Sequence, residues 1–438
     1  MKIAVWYNLP SGGAKRALYY HVRGLVERGH TVEAWCPPIK GHTSLPLGSF
    51  IKEHVVPLDW QPTRLHEFVK RTPILEAEIL SEDLSKLRAQ DKHCRLCADE
   101  INAGGFDVLF ANTSVIQAVA SIGRYVETAK VLYLQEPSRG FYEAGPNGLP
   151  WLAVPPRARA WMRPRYLAWL VVNAFGVQQF RTLAREEYLS ARVFDEILVN
   201  SYFSRESVLR AYGLDAKVCY LGVDTKLFVN RHLERENFVV GLGEINRHKN
   251  VRFVIEALGR VPPPTRPRLV WVGNAIYSNY LTEMQQLAAS LNVEFETRMQ
   301  INDDELVELL NRAALMAYAP RLEPFGFAPL EANACGTPVV AVAEGGVRET
   351  VSDDFNGLLV APEPQAMADA IERLMRDKNV AQRLGANGER MVAEKWSLGA
   401  SVDRLERHLV ETVVAKNPVQ NREISHRDTG SQRVKVKG

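Results

Sequence analysis

Two runs of alternating strand-like and helix-like segments narrow the folds open to this chain more than any other feature. The first run opens with KIAVWY, a Ser-Gly-Gly turn, a helical segment that ends at Gly29 and the strand TVEAWC. Later strand candidates in this run are FDVLFANT, KVLYLQEP and EILVNS. A second run starts at NFVVGLGE, after a charged connector that lacks apolar periodicity. Since strands that alternate with helices form parallel sheets, the pattern predicts an α/β protein with two such sheets.

The length of the chain indicates more than one domain. Its 438 residues exceed what one ordinary hydrophobic core supports, so two large domains are expected. We place the first domain at 1–222 and the second at 223–396. The segment 397–415 has the length and apolar period of a final helix, and 416–438 is a basic, polar tail predicted to be disordered.

Charge and cysteine content exclude several classes of protein. The net charge of +3 arises from the tail 416–438, which holds six Lys or Arg residues and two acidic ones, and this excludes a dedicated nucleic-acid binder. Five cysteines do not make a disulfide framework, and MKIAVWYN lacks the features of a signal peptide. We therefore expect a cytoplasmic protein. Cys94 and Cys97 form an isolated CxxC pair, which favours two cysteines on a helix over a zinc site.

The segment EPFGFAPLEANACGTP holds two glutamates, Glu323 and Glu331, around a predicted helix start. Pro329 suits the first turn of that helix, and we place Glu331 inside the same turn. The free N–H groups at the helix start can bind phosphate oxygens; they belong to Phe325, Gly326 and Phe327. A carboxylate beside a phosphate is favourable where it accepts hydrogen bonds from vicinal hydroxyls, as on a sugar. The segment thus predicts a nucleotide-sugar site, and the alternative is a glutamate that only stabilises its helix.

Several motifs together resemble the retaining GT-B glycosyltransferases of family 4. EPFGFAPLE, ACGTPVVA and EGGVRE resemble the donor-domain signature of that family, and GEINRHKN resembles its phosphate-binding loop. SGGAKRALYYHVRGLVERGHTVE and VNSYFSRESVLRAYGLDAKVCYLGVDTKLF resemble parts of its N-terminal domain. The resemblance covers most of the chain. It implies two Rossmann-like domains that face a central cleft, with the C-terminal helix crossing back to the N-terminal domain.

The resemblance also implies roles for individual residues. Glu323 matches the glutamate that contacts the transferred sugar, Glu331 the glutamate that binds the nucleotide ribose, and Lys249 the lysine of the phosphate loop. Five further positions match the donor side of the family: Gly12, Gly13, Gly345, Gly346 and Glu349. Met299 lies in the loop ETRMQINDD, which is expected to face the base of the nucleotide.

The sequence departs from the family pattern at two positions. Glu244 follows Gly243 where the family usually has an arginine, and Arg247 is the candidate to supply the missing charge as a catalytic residue. Gln135 stands where the family often has a histidine, so the role of that histidine is not carried over. We assign three residues of YLQEPSRGFYE to the acceptor side: Gln135, Glu136 and Arg139.

The implied reaction is transfer of a hexose from a nucleoside diphosphate sugar, with retention at the anomeric carbon. We expect no metal or cofactor, because the sequence has no D-x-D motif and NDDEL is typical of a helix start. YLQEPSRGFYE resembles segments of mannosyltransferases of the family, which favours GDP-mannose as donor and a glycan or lipid-linked saccharide as acceptor. Such a reaction belongs to polysaccharide biosynthesis.

Three alternatives remain open from the sequence. One is a nucleotide-sugar epimerase on the same fold, and another is a non-catalytic protein that binds sugar nucleotides. The third is a dinucleotide oxidoreductase, since VVGLGE places Gly241 and Gly243 after a strand. The third glycine of G-x-G-x-x-G would fall at Asn246, so that fingerprint is incomplete.

The segment 151–185 combines six arginines with aromatic residues and contains no acidic residue. Its longest uncharged run, 166–180, has 15 residues and is too short to cross a bilayer, which needs about 20 apolar residues. Arginines among aromatic rings suit the surface of an anionic membrane. The segment predicts a peripheral site on the inner face of the membrane, or else a helix that packs on the sheet with a solvated arginine edge.

Overall fold

The structure is a computed structural model, and it describes residues 1–10, 12–38, 45–61, 84–142, 164–274 and 278–416. The described residues divide into two units. The first comprises the described parts of Met1–Val199, Arg205–Cys219 and Asp403–Gly438, and the second comprises Asn200–Ser204 and Tyr220–Val402.

The first unit is built on a parallel sheet of seven strands in the order β3-β2-β1-β4-β5-β6-β7. The strands are β1 (Lys2–Asn8), β2 (Thr31–Cys36), β3 (Lys52–Val55), β4 (Val108–Ser114), β5 (Ala129–Leu134), β6 (Glu196–Val199) and β7 (Lys217–Val218). The helices are α1 (Gly13–Glu27), α2 (Leu84–Ala103), α3 (Arg139–Tyr142) and α4 (Pro164–Ala191), with short 3₁₀ helices at Leu47–Ser49 and Ser121–Arg124. Helix α5 (Tyr202–Tyr212) begins in the second unit and continues in the first from Arg205.

The second unit is built on a parallel sheet of six strands in the order β10-β9-β8-β11-β12-β13. The strands are β8 (Glu236–Leu242), β9 (Arg268–Gly273), β10 (Phe295–Met299), β11 (Ala313–Tyr318), β12 (Val339–Val342) and β13 (Gly357–Val360). The helices are α6 (Val251–Arg260), α7 (Ser278–Ser290), α8 (Asp303–Arg312), α9 (Phe327–Ala334), α10 (Val347–Thr350), α11 (Pro364–Arg376) and α12 (Lys378–Lys395). The last helix, α13 (Leu398–Lys416), begins in this unit and ends in the first.

The central strands of both sheets are apolar over nearly their whole length because helices cover both faces. In β1 every residue from Ile3 to Tyr7 is buried, and in β11 Leu315 and Met316 are fully buried. A strand buried on both faces reads as a continuous apolar run rather than an alternating one. The same burial explains why the sequence pattern locates these strands, and it confirms the predicted α/β class with two Rossmann-like units.

The final helix, α13, joins the two units in sequence, and its residues from Asp403 onward belong to the first unit. Within that unit Arg28 Nη1 donates to Glu406 Oε2 at 2.6 Å, and His30 Nε2 lies 2.7 Å from Glu406 Oε1. These contacts tie the helix to the end of α1 and the start of β2. The predicted return of the C-terminal helix to the N-terminal unit is confirmed. The tail beyond Lys416 lies outside the described residues.

Candidate functional site

The candidate site lies in the second unit, at the edge where the parallel strands end. The connections after β8, β10, β11 and β12 leave the sheet at this edge. The carboxyl ends of parallel strands meet at one edge, which is where open α/β sheets bind ligands. Most of the donor-side residues predicted from the sequence fall in these four connections.

An ion pair joins two of the predicted catalytic residues, although 74 positions separate them in the chain. Lys249 Nζ lies 2.8 Å from Glu323 Oε2, and the two side chains are only 22% and 18% exposed. His248 Nε2 lies 4.0 Å from the same carboxylate oxygen. The connections after β8 and β11 are also tied through their backbones, since Arg321 N donates to His248 O at 3.1 Å. An ammonium group and a carboxylate are thereby held side by side at the edge of the sheet.

A close backbone contact fixes the position of Glu323. Gly346 N donates to Glu323 O at 2.8 Å. A Cβ atom at Gly345 would lie 2.4 Å from Glu323 O, and one at Gly346 would lie 2.0 Å from Pro324 O. Only glycines therefore allow the connection after β12 to approach this closely. The predicted glycine pair thus packs against the backbone of the Glu323–Pro324 turn.

The helix α9 begins at Phe327, after Gly326 in a left-handed conformation with φ of 98°. Glu331 is consequently its fifth residue, so the expectation that Glu331 lies in the first turn is wrong. The reason is that the left-handed Gly326 starts the helix two residues before Pro329. Glu331 is only 4% exposed, and beyond the first turn the helix dipole favours a carboxylate little. Stabilisation of the helix alone therefore does not account for Glu331.

The two glutamates lie near one buried hydroxyl, that of Tyr318 at the end of β11. Burial raises the pKa of Tyr318 well above its ordinary value, and the charges of Glu323 and Glu331 raise it further. The charges of both carboxylates therefore affect the same hydroxyl at the end of this strand.

Left-handed backbone conformations occur in the same connections. Three of the seven described residues other than glycine that have a positive φ lie there: Asn250 with φ of 57°, Gln300 with φ of 54° and Leu322 with φ of 48°. Each follows or precedes a predicted site residue, namely Lys249, Met299 or Glu323. Such conformations are unfavourable for leucine in particular, and they accumulate at functional sites. No pattern in the sequence predicted them.

The glycines of VVGLGE have a packing function in the second unit. A Cβ atom at Gly241 would lie 2.3 Å from the Trp271 ring, and one at Gly243 would lie 3.1 Å from the Lys249 side chain. Trp271 Nε1 also donates to Gly243 O at 2.8 Å. These glycines thus make room for the tryptophan and the lysine, which explains their spacing without a dinucleotide fingerprint.

Arg247 is not brought to the ion pair. Its side chain is 85% exposed, its Nη2 lies 3.7 Å from Glu283 Oε2, and its guanidinium lies 5.9 Å from the centre of the Tyr280 ring. Glu244, which replaces the expected arginine, accepts a hydrogen bond from Asn246 Nδ2 at 3.0 Å. The positive charge next to Glu323 is that of Lys249, with His248 beside it.

Glu349 binds groups of the protein itself. Its carboxylate accepts from the backbone N–H of Tyr202 at 2.9 Å and of Phe203 at 3.1 Å, and from Tyr220 Oη at 2.9 Å. These three donors belong to the same unit as Glu349. The structure therefore places Glu349 at the start of α5, where it satisfies N–H groups that a helix leaves unpaired.

The remaining predicted residues lie at the ends of strands. Met299 is the last residue of β10 and is paired in register with Gly273. In the first unit, Gly12 and Gly13 precede and begin α1, and three acceptor-side residues follow β5: Gln135, Glu136 and Arg139. Arg139 Nε lies 2.5 Å from Glu136 Oε2.

The two units with these sheets form the GT-B fold of solved glycosyltransferases. Sucrose-phosphate synthase from Thermosynechococcus elongatus superposes with a TM-score of 0.69 at 18% identity, covering 95% of this chain and 100% of that one. Anabaena HepE, solved in complex with UDP-glucose, superposes with a TM-score of 0.62 at 19% identity, covering 94% and 100%.

The sequence profile of the family described as Glycosyl transferases group 1 matches residues 223–391, which lie in the second unit of this chain. Human Alpha-1,3/1,6-mannosyltransferase ALG2 is 28% identical over 256 residues, which are 52% of this chain and 61% of that protein. Alpha-maltose-1-phosphate synthase from Mycolicibacterium smegmatis is 28% identical over 240 residues, 48% of this chain and 62% of that protein. The matched part thus spans about three fifths of the length of these two relatives.

Proposed function

We propose that this chain transfers a hexose from a nucleoside diphosphate sugar to a saccharide acceptor, with retention at the anomeric carbon. The observation that carries the proposal is the Lys249–Glu323 ion pair, at 2.8 Å, at the start of α9 and near the buried Glu331. One ligand with an anionic group and sugar hydroxyls can interact with all three side chains at once. A nucleoside diphosphate sugar has these groups in the required order.

Stabilisation of the leaving diphosphate is the main catalytic task. Preorganised cations and N–H groups that face the developing negative charge contribute most to such reactions. In this chain Lys249 and the N–H groups at the start of α9 supply that positive potential. They can do so without a metal ion, so we propose a metal-independent reaction. The N–H groups are held in place because the glycine pair fixes the preceding turn.

The glutamates have separate tasks in this mechanism. Glu323 accepts hydrogen bonds from hydroxyls of the transferred sugar, and Glu331 accepts them from the ribose. The bond between the anomeric carbon and the diphosphate oxygen breaks, and the acceptor oxygen bonds to that carbon on the same face. The acceptor proton passes to the departing phosphate oxygen, which balances the step without a separate protein base.

GDP-mannose is the donor we favour, with a glycan or lipid-linked saccharide as acceptor. The segment that follows β5 resembles mannosyltransferases, and the matched relatives include a mannosyltransferase at 28% identity. UDP-glucose is the principal alternative donor, because Anabaena HepE, which has a similar fold, was solved with UDP-glucose.

Thermal unfolding with a panel of GDP-mannose, UDP-glucose, GDP and UDP identifies the donor. A ligand at 100 times its Kd stabilises the folded state by about 2.7 kcal/mol, which corresponds to a rise in Tm of roughly 5–10 °C for a domain of this size. The donor identified in this way should release its nucleotide faster when a saccharide acceptor is added. Conversion of the nucleotide sugar at the same rate without acceptor would indicate an epimerase instead.

We further propose that the acceptor reaches the first unit from an anionic membrane surface. None of the helices in the described part of the chain is long and apolar enough to cross a membrane. The basic and aromatic segment 151–185 supports peripheral binding, although its residues 151–163 lie outside the described part.

Co-sedimentation with liposomes tests this membrane proposal. Binding should rise with the content of anionic lipid and fall with salt, and replacement of four arginines by glutamine should abolish it. The four are Arg157, Arg159, Arg163 and Arg165. Binding that is absent, or that the four changes leave intact, would favour a soluble acceptor.

A further inference from the structure

A buried carboxylate in the first unit has no role in the proposed mechanism. Glu187 of α4 is fully buried. Its Oε1 accepts from Tyr212 Oη at 2.7 Å and from Ser138 N at 3.2 Å, and its Oε2 accepts from Ser138 Oγ at 2.6 Å and from Ala118 N at 2.9 Å. A carboxylate has about four acceptor positions. All four are therefore occupied by donors of the protein.

These donors come from three separate parts of the unit. Ala118 lies in the connection after β4, Ser138 lies in the connection after β5, and Tyr212 ends α5. Because β4 and β5 are parallel neighbours, both connections leave the sheet at the same edge. One side chain on α4 thus holds two neighbouring connections at the carboxyl edge of the first sheet.

Burying a carboxylate destabilises the folded state, which indicates that Glu187 has a specific task. Burial raises the pKa of Glu187, and hydrogen bonds from Ser138 and Tyr212 only partly oppose that effect. An apolar side chain of similar size would leave the N–H groups of Ala118 and Ser138 without this acceptor. It could not fix the location of the N–H groups of Ala118 and Ser138, whereas the carboxylate does.

Ser138 directly precedes Arg139, whose side chain forms an ion pair at 2.5 Å with Glu136. We propose that Glu187 is a positioning residue for the acceptor: it touches no substrate but sets the path of residues 135–139. This inference rests on the proposed transferase function and adds to it a residue that controls acceptor affinity. Donor binding in the second unit does not involve Glu187.

Glu187→Gln tests the inference because it keeps the size of the side chain and removes one acceptor oxygen. Its amide NH₂ would face N–H and O–H donors. Hydrogen exchange at the amides of 115–118, 135, 136 and 138 should then accelerate by about tenfold or more, the effect of losing a hydrogen bond to a charged group. With octyl α-mannoside as acceptor and the donor found in the panel, the acceptor KM should rise by about tenfold, and the donor KM should stay within about twofold.

Glu186→Gln is the matched control on the same helix. Glu186 Oε2 accepts from Arg124 Nη1 at 2.7 Å, and its loss should leave the acceptor KM and the exchange at 135–138 unchanged. If Glu187→Gln does not fold, Ser138→Ala replaces it, because this change removes one of the four donors and keeps the carboxylate. The acceptor KM should then rise by about threefold or more.

The outcomes separate this inference from the proposed function. No turnover by the wild-type protein with any donor of the panel would overturn the proposed function. Turnover by the wild type with an unchanged acceptor KM in the variants would overturn the role of Glu187 alone. Equal increases in donor and acceptor KM would also overturn it, because they would indicate a general loss of structure.

Discussion

Gly346→Ala should lower turnover by more than its effect on the free energy of unfolding would suggest, because it disturbs the geometry of the candidate site. The added Cβ would lie 2.0 Å from Pro324 O, and carbon–oxygen contacts below 3.0 Å are essentially never found, so the Glu323–Pro324 turn has to move by about 1 Å. Pro324 O also accepts from Ser201 Oγ at 2.5 Å. Loss of that bond costs about 1 kcal/mol, and the strain of overpacking costs about 1–3 kcal/mol. The free energy of unfolding should therefore fall by roughly 2–4 kcal/mol.

The effect on the reaction should be larger than the effect on stability. A displacement of a reacting group by 1 Å can lower turnover by about 100-fold, and here the displaced group is Glu323. Urea unfolding measures the first effect, and nucleotide release in the presence of acceptor measures the second. Gly399→Ala is the control, because its Cβ would meet no atom within 4 Å and alanine favours a helix by up to about 1 kcal/mol. Stability and turnover of Gly346→Ala that match those of the control would refute the reasoning.

Two further predictions concern positive charges. Lys249→Ala should lower turnover by about 100-fold to 1000-fold, as for loss of a group that stabilises the developing charge. Turnover of Arg247→Ala should stay near that of the wild type, because the Arg247 side chain is 85% exposed and lies beside Glu283. Equal losses for both variants in steady-state kinetics would show instead that Arg247 also stabilises the diphosphate. Lys15→Met should raise the free energy of unfolding by about 1–3 kcal/mol at pH 7. Burial lowers the pKa of Lys15 from 10.5 to about 8, so the charged ammonium destabilises the folded state. Contact of the ammonium with the Tyr7 ring, 3.7 Å away, offsets only part of this destabilisation. The destabilisation by the charged Lys15 is complete below about pH 8 and disappears as the pH rises towards 10.5, where the unfolded chain also loses the proton. Urea unfolding at several pH values should therefore show that the greater stability of Lys15→Met vanishes across that range. A stability difference that is independent of pH would contradict this explanation.

Local patterns in the sequence predicted most of the sheet architecture for a physical reason. Strands such as β1 and β11 are buried on both faces, so each forms a continuous apolar run that stands out between polar turns. The start of α9 was harder to place, because Pro329 suits any position in a first turn. The left-handed conformation of Gly326 decides where the helix begins, and a sequence shows only that glycine permits it.

Side-chain partners far apart in the chain could not be predicted from spacing. Both Arg247 and Lys249 were candidates for the charge beside Glu323, and the choice depends on the path of a connection that passes through the left-handed Asn250. Glu187 was missed because glutamate in a helix is usually exposed. Its burial and its four donors arise only from tertiary packing.

Calorimetric titration of GDP and UDP into the wild-type protein, Glu331→Gln and Glu323→Gln tests the central claim most directly. The claim is that the edge of the second sheet binds a nucleoside diphosphate sugar, with Glu331 on the nucleotide and Glu323 on the transferred sugar. We predict one nucleotide per wild-type chain, affinity about tenfold or more weaker in Glu331→Gln, and affinity in Glu323→Gln within about twofold of wild type. Equal losses in the two variants, or no heat of binding to the wild-type protein with either nucleotide, would contradict the claim.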